Sequence, residues 1–329
     1  MCSEAPSPYR DSLSSVERRA FGKTLQLIGL PKVRDVLIQS RKSEVEVWVD
    51  EGSGLKKFTE IALSEHELRD LATNLISAGG RHIDELNPCT DVQLGQGIRV
   101  HAVLAPIVTS GAAISIRLPS LKTLSIMDLF RSGICDTTTA KILLNAVKTK
   151  KNILISGATA SGKTTLLTAL LSEVNPDERI ISIEDVGEIR PNHPHHLALE
   201  SRQANSEGIG EVNLDMLLRE ALRMRPDRIV LGECRGKEVV TLLTALNTGH
   251  DGGASTLHAN SMNDIPARLE ALGTLAGLTP QALARQAASA INMAIHVTRV
   301  GTRHRIEGIG SLTLNDDGLL TLSPYTSEF

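Results

Sequence analysis

The run "ISGATASGKTTLLTALL" (155–171) sets two glycines, a lysine and adjacent threonines between an apolar stretch and a leucine-rich one. Two readings compete for it: a Gly/Ser turn joining a strand to a helix, or a cradle for a phosphate group. Gly157-Ala158-Thr159-Ala160-Ser161-Gly162-Lys163-Thr164 fits the pattern G-x-x-x-x-G-K-[ST], and Thr165 carries it into the following helix. Glycines let the backbone curl until successive N–H groups point inward. A helix that starts near Lys163 adds the positive end of its dipole. In that geometry Lys163 reaches the β- and γ-phosphates of a nucleotide, and the Thr164 hydroxyl meets a magnesium ion. The apolar strand before the motif and the helix after it are the context the motif requires. They decide for the phosphate cradle.

Composition narrows what such a cradle serves. The chain has 329 residues, enough for two domains with a core each. Aromatic residues make up only 2% of it, so the core must come from Leu, Ile, Val and Ala. That suits helices packed on parallel strands and leaves no platforms for stacking bases. A net charge of −3 supplies no overall basic field, so direct nucleic-acid binding is not expected. Cys2, Cys89, Cys135 and Cys234 are isolated, which speaks against a disulfide framework or a zinc module and for a reducing cytoplasm. The first residues lack the apolar core of a signal peptide, and no stretch is long and apolar enough to span a bilayer.

Along the chain, residues up to about 40 read as a flexible start followed by a helical segment around "SVERRAFGKTLQLIGL". "EVEVWVD" and "KKFTEIAL" predict a hairpin, and "SEHELRDLATNLISAGG" a helix capped by Ser64 and stopped at a glycine pair. "QGIRVHAVLAPIV" and "AAISIRLPS" predict another strand pair. Residues 1–119 are thus expected to form a small α+β domain and residues 120–329 a P-loop domain, with "LPSLKTLS" (118–125) as the linker. In the second domain short apolar strands alternate with helices: "NILISG", "RIISIED", "RIVLGE" and "GASTLHA". Leu214, Leu217, Leu218, Ala221 and Leu222 share one face of an intervening helix. Such alternation predicts an α/β fold with a mostly parallel sheet covered on both faces.

In a parallel sheet the carboxyl ends of the strands line one edge, where ligands bind. Glu184-Asp185 with Glu188 close behind, Glu233, and His258 with His250 before it all fall at such ends or near them. Each has a plainer explanation, because carboxylates after strands also cap helices and a histidine also packs in cores. "PNHPHH" (191–196), with His193, His195 and His196, reads as an exposed loop rather than a metal site.

In order along the chain, "GATASGKTT", "IEDVGEIRP", "LREALRMRPDRIVLGECRG" and "TGHDGGASTLHANS" resemble the type II/type IV secretion ATPase superfamily. Its members carry a Walker A motif, an aspartate box, an atypical Walker B with Gly-Glu, and a histidine box, in that order. "EVWVDEGSGLKKF", "IDELNPCTDVQLGQGIRVHAV" and "AAISIRLPS" resemble the N-terminal domain of its tight-adherence (Flp) pilus and conjugation-associated branch, so the similarity runs from about residue 44 to about 300. The zinc module common in type II members is absent from the sequence.

The resemblance implies a RecA-like P-loop domain and a PAS-like N-terminal domain. It also implies a homo-hexameric ring and ATP with Mg²⁺ held between the domains. By the same resemblance, Lys163 and Thr164 are phosphate and Mg²⁺ ligands and Glu184 is the general base or water-positioning carboxylate. Glu233 supports Mg²⁺ largely through water, and His258 senses the nucleotide state. Arg99 and Arg117 neutralise phosphate charge, with Arg202, Arg223 and Arg235 as weaker candidates. The work implied is pilus assembly or secretion, at the inner face of the cytoplasmic membrane and with inner-membrane platform proteins. A conjugation motor and a non-hydrolysing nucleotide-binding scaffold are the alternatives.

Overall fold

The computed structural model describes residues 8–30, 32–42, 44–52, 54–109, 111–119, 123–202, 209–301 and 303–326. Cys2 and residues 120–122 of the expected linker lie outside them. The chain divides into two compact units, Met1–Leu121 with Asn205–Ile209, and Lys122–Ala204 with Gly210–Phe329.

The first unit opens with two short helices, α1 (Pro8–Ser12) and α2 (Ser15–Phe21), and a 3-10 turn over Gly22–Gly29. Strands β1 (Asp35–Arg41), β2 (Glu44–Asp50) and β3 (Leu55–Phe58) follow, then α3 (Glu65–Ala78) and strands β4 (Cys89–Leu94), β5 (Ile98–Leu104) and β6 (Ala112–Arg117). The six strands form one antiparallel sheet in the order β3-β2-β1-β6-β5-β4. Helix α3 begins where expected, with Ser64 and Glu67 exchanging bonds in a capping box. Its Leu68, Leu71, Ala72, Leu75 and Ile76 join Val36, Ile38, Val100 and Ile114 in the core.

Strand β1 corrects the expectation of a helical or flexible segment up to about residue 40. In "DVLIQSR" Val36, Ile38 and Ser40 point into the core. Leu37 instead stands on the outer face opposite Trp48. One apolar residue on the outer face turns an alternating pattern into a continuous run and hides the period of two.

The second unit runs α4 (Ile126–Arg131), α5 (Thr137–Lys148), β7 (Ile153–Gly157), α6 (Lys163–Leu171), β8 (Ile180–Glu184), β9 (His196–Glu200), α7 (Leu214–Leu222) and β10 (Arg228–Cys234). It continues with α8 (Glu238–Leu246), β11 (Ala254–His258), α9 (Ile265–Leu275), α10 (Pro280–Ala290), β12 (Met293–Val300), β13 (Arg303–Leu314) and β14 (Leu320–Pro324). The sheet order is β14-β13-β12-β7-β11-β10-β8-β9. The strands from β12 to β9 are parallel, and β13 and β14 extend the sheet antiparallel beyond β12.

Successive strand residues point to opposite faces, so the unit has two cores. Ile181, Ile183 and Leu231 pack under the helices α7 to α10, whereas Ile155, Ile180 and Val230 pack under α4, α5 and α6. The parallel strands are apolar on both sides because both sides are covered. Strand β9 begins at His196, within a stretch read as loop, and its half-buried edge position gives it a weaker pattern. His193, His195 and His196 bond Asn175, Arg179 and Ser182, and no cluster arranged to hold a metal occurs among the described residues. No helix among the described residues is long and apolar enough to cross a membrane.

At the amino ends of the strands Arg228 is 3% exposed. Its guanidinium donates to both oxygens of Glu178, at 2.8 and 3.4 Å, and to Val147 O at 2.9 Å. This pair ties the start of β10 to α5 and to the turn before β8. Removing one partner of a buried pair leaves an uncompensated charge, which costs about 3 kcal/mol or more. Glu178→Ala should therefore lower unfolding stability by roughly that amount in urea titration. A loss under about 1 kcal/mol would show that water and the Val147 and Gly252 carbonyls take over the guanidinium.

Candidate nucleotide site

Four strand ends of the second unit carry the chemistry. Strand β7 ends at Gly157, whose φ of +156° begins the turn, and Ala160 at +58° and Gly162 at +100° complete the curl into α6. Lys163 is the first residue of that helix and is 7% exposed. Its Nζ donates to Gly157 O at 3.0 Å and Ala158 O at 2.9 Å, and lies 3.4 Å from His258 Nδ1. Burial holds its pKa below the usual lysine value, with the carboxylates of Glu233 and Glu188 acting in the opposite direction. Inside the same loop the Ser161 hydroxyl is buried with no hydrogen-bond partner. Ala158, Thr159 and Ala160 form the exposed rim, Thr164 is half-buried in the first helical turn, and Thr165 is exposed.

The loop therefore combines a nine-residue helix's amino end, an orphaned buried hydroxyl and a desolvated ammonium. That donor set fits a phosphate group. The Thr164 hydroxyl in the first turn and the Glu233 carboxylate, whose field reaches Lys163, are the kind of oxygen donors a hard divalent cation takes.

Glu233 and His258 meet across β10 and β11. His258 Nε2 lies 2.5 Å from Glu233 Oε1, so His258 stands between Glu233 and Lys163. The end of β10 is held by Thr256, whose hydroxyl donates to Gly232 O at 2.6 Å. Glu238, the first residue of α8, fastens the turn before it by accepting from the Arg235 and Gly236 backbone N–H groups at 2.8 and 2.7 Å.

Glu184 and Glu188 differ in placement. Glu184 is 5% exposed and both its oxygens accept backbone N–H groups. Oε1 takes Glu188 N at 3.1 Å and Ile189 N at 3.2 Å, and Oε2 takes Ile189 N at 3.1 Å. Burial pushes its pKa up to about 7, against the pull of those two N–H groups. Gly232 makes the room: a Cβ there would sit 2.7 Å from Glu184 Cγ. Glu188, which the sequence marked only as a neighbour of the box, is the half-exposed carboxylate whose field reaches Lys163.

The weaker arginine candidates have local partners. Arg235 pairs with Asp185 at 2.5 Å, Arg223 with Glu220 at 3.3 Å, and Arg202 donates to Gly210 O at 2.8 Å. His250 contacts Ala245 O, before β11 begins. In the first unit Arg99 and Arg117 stand directly opposite one another on β5 and β6, with Asp35 across from Arg117 on β1.

Residues 46–305 match the model of the type II/IV secretion system protein family. The chain belongs to this secretion ATPase family. A putative conjugal transfer protein of Mycobacterium tuberculosis is 46% identical over 279 residues, covering 83% of this chain and 78% of the relative. The type IV secretion system protein VirB11 of Bartonella henselae is 32% identical over 66% of this chain and 70% of its own. Among solved structures, the ATPase DotB of Yersinia pseudotuberculosis superposes with a TM-score of 0.58 at 18% identity, over 98% of this chain and 80% of that one. The pilus retraction motor PilT with bound ADP gives 0.57 at 20% identity, over 90% and 80%. These two show that the secretion ATPase has their fold. The conjugal transfer relative accords with the conjugation-associated branch that the N-terminal segments of this ATPase resemble.

Two substitutions test the geometry around Glu184. In Gly232→Ala the new methyl group meets a side chain fixed at both oxygens, so overpacking should cost about 1–3 kcal/mol and displace the Glu184–Ile189 bonds. A crystal structure with those bonds intact would contradict this. The titration of Glu184 carries a sign. Its folded-state pKa lies above the ordinary 4.5, so its contribution to stability is full below that value and is lost as pH rises through about 7. Wild-type stability should thus fall relative to Glu184→Gln between about pH 5 and pH 8, by no more than about 3 kcal/mol. Parallel pH profiles of melting temperature would refute it.

Proposed function

We propose that this chain is an ATP-hydrolysing motor of a secretion or pilus-assembly machine, acting as a ring of six copies with membrane-bound platform proteins. The observation that carries the reading is the buried Lys163 ammonium, set at a helix amino end with Glu188, Glu233 and His258 around it. Water attacks the γ-phosphorus in line, the bond to the β–γ bridging oxygen breaks, and ADP and phosphate leave. No covalent bond to protein is needed, so positioning and charge neutralisation do most of the work.

The P-loop amides, the Ser161 hydroxyl and Lys163 hold the phosphates. Thr164 and Glu233 would hold Mg²⁺, Glu233 largely through water, and the ion would supply further charge neutralisation. Glu188 orients the attacking water and takes its proton, whereas Glu184 anchors the loop that carries Glu188. This reassigns the role first given to Glu184, because both its oxygens are engaged with backbone. His258 links Glu233 to Lys163, so a change at the phosphates is felt on β11. On the family pattern Arg99 and Arg117 would neutralise phosphate charge. Hydrolysis then drives the displacement of a partner.

A second reading, a motor for conjugal transfer, is favoured by the M. tuberculosis relative's name and by its 46% identity. The core chemistry is the same and only the client differs.

The test is ATPase activity and binding of a fluorescent ATP analogue, with assembly followed by light scattering. Lys163→Ala should weaken binding by about 10- to 100-fold, the worth of a charge-assisted bond. Glu188→Gln should bind normally and turn over about 100- to 1,000-fold more slowly. Glu184→Gln should lose less. If Glu184→Gln is silent and Glu188→Gln active, the water-positioning role returns to Glu184. Wild type that binds ATP but neither hydrolyses it nor assembles, even with membranes supplied, is a scaffold instead.

A further inference from the structure

The P-loop does not shape itself alone. Strand β12 lies parallel to β7 on the side away from β11, with His296 in register with Ser156, the residue before the first loop glycine. His296 is 1% exposed, and its Nδ1 lies 2.8 Å from the Ser156 hydroxyl, which also donates to Ile295 O at 3.2 Å. One residue on, Val297 O would stand 2.3 Å from any Cβ added at Gly157. The antiparallel return β13 then brings His304 over the loop's other end. Its Nδ1 lies 2.8 Å from Ser161 O, and its ring would stand 3.3 Å from a Cβ added at Gly162. Both loop glycines are therefore glycines against the same hairpin. A neutral carbonyl oxygen accepts only, so His304 carries a proton on Nδ1 in this contact.

We propose that His304 is a positioning residue for nucleotide binding: by donating from Nδ1 to Ser161 O it holds the P-loop in the curl that aims the Ser161 hydroxyl and the following amides at phosphate. This rests on the phosphate-cradle reading above. His304 touches no reacting atom. It fixes the conformation of a loop whose backbone carries positive φ at Ala160 and Gly162 and which would otherwise relax between visits of ligand. Losing the bond lowers the fraction of the loop that is competent to bind, so apparent affinity falls while the bound complex reacts as before.

The experiment compares wild type, His304→Ala, His304→Asn and Lys163→Ala in Mg²⁺-ATP turnover and in titration with N-methylanthraniloyl-ATP. Asn places its amide N–H close to the position of Nδ1, so it can restore the bond to Ser161 O. His304→Ala should raise KM and the analogue Kd together by about 3- to 10-fold, the worth of one hydrogen bond, with kcat within about 2-fold. His304→Asn should recover most of the loss. A fall in kcat at unchanged KM, a KM unchanged in the alanine variant, or failure of asparagine to restore affinity in a folded protein would each overturn the assignment. If Lys163→Ala binds the analogue as well as wild type does, the cradle reading itself is wrong, whatever His304 does.

Discussion

An ammonium group held out of water organises the catalytic edge of the second unit. Among the described residues Lys163 reaches no carboxylate directly. Its partners are the Gly157 and Ala158 carbonyls, dipoles rather than charges, with Glu233 and Glu188 acting at longer range. Removing a charge from water costs several kcal/mol, and carbonyl dipoles repay only part of it. What remains is a positive charge only partly balanced, at a helix amino end, which suits a phosphate group. The parallel sheet serves this arrangement. Its strands deliver Gly157, Glu184, Glu233 and His258 to one edge, while the apolar residues between them are covered on both faces.

The two carboxylates of the box after β8 show how packing divides work between residues of the same type. Glu184 closes the strand and turns inward, where Gly232 on β10 leaves space for its side chain. Its oxygens then organise the next turn by accepting from Glu188 and Ile189, and Ile189 is buried at 1% exposure. With Ile189 anchored inside, its neighbour Glu188 is left on the open side of the turn, toward Lys163. The Gly-Glu of β10 thus does two jobs. Glu233 faces His258, and Gly232 permits Glu184. A side chain at Gly232 would disturb a residue in a different motif, so the four boxes act as one packed unit.

Features set by short-range patterns could be read from residues alone. The P-loop spacing, the four apolar strands, the Ser64 N-cap and the stripe on α7 all lie within one element or one turn, and each appears in the fold. Features set by distant partners could not. Strand β1 escaped because Leu37 faces outward against Trp48, and β9 because prolines and histidines precede it. The placement of the Glu184 side chain depends on Gly232, nearly fifty residues away. His304 meets Ser161 across 143 positions of sequence, with no motif to announce it.

The same long-range packing bears on how a motor couples chemistry to motion. β7 lies between two parallel neighbours, and both reach the loop it ends in. On one side His258 of β11 stands in register with Gly157 and contacts Lys163; on the other His296 of β12 stands in register with Ser156. The strand beneath the P-loop is therefore clamped from both edges, by polar contacts that a phosphate-dependent shift would strain unequally. β11 continues into the turn before α9, and β12 into the hairpin that carries His304. A displacement of the loop within so close-packed a sheet would bear first on those two segments.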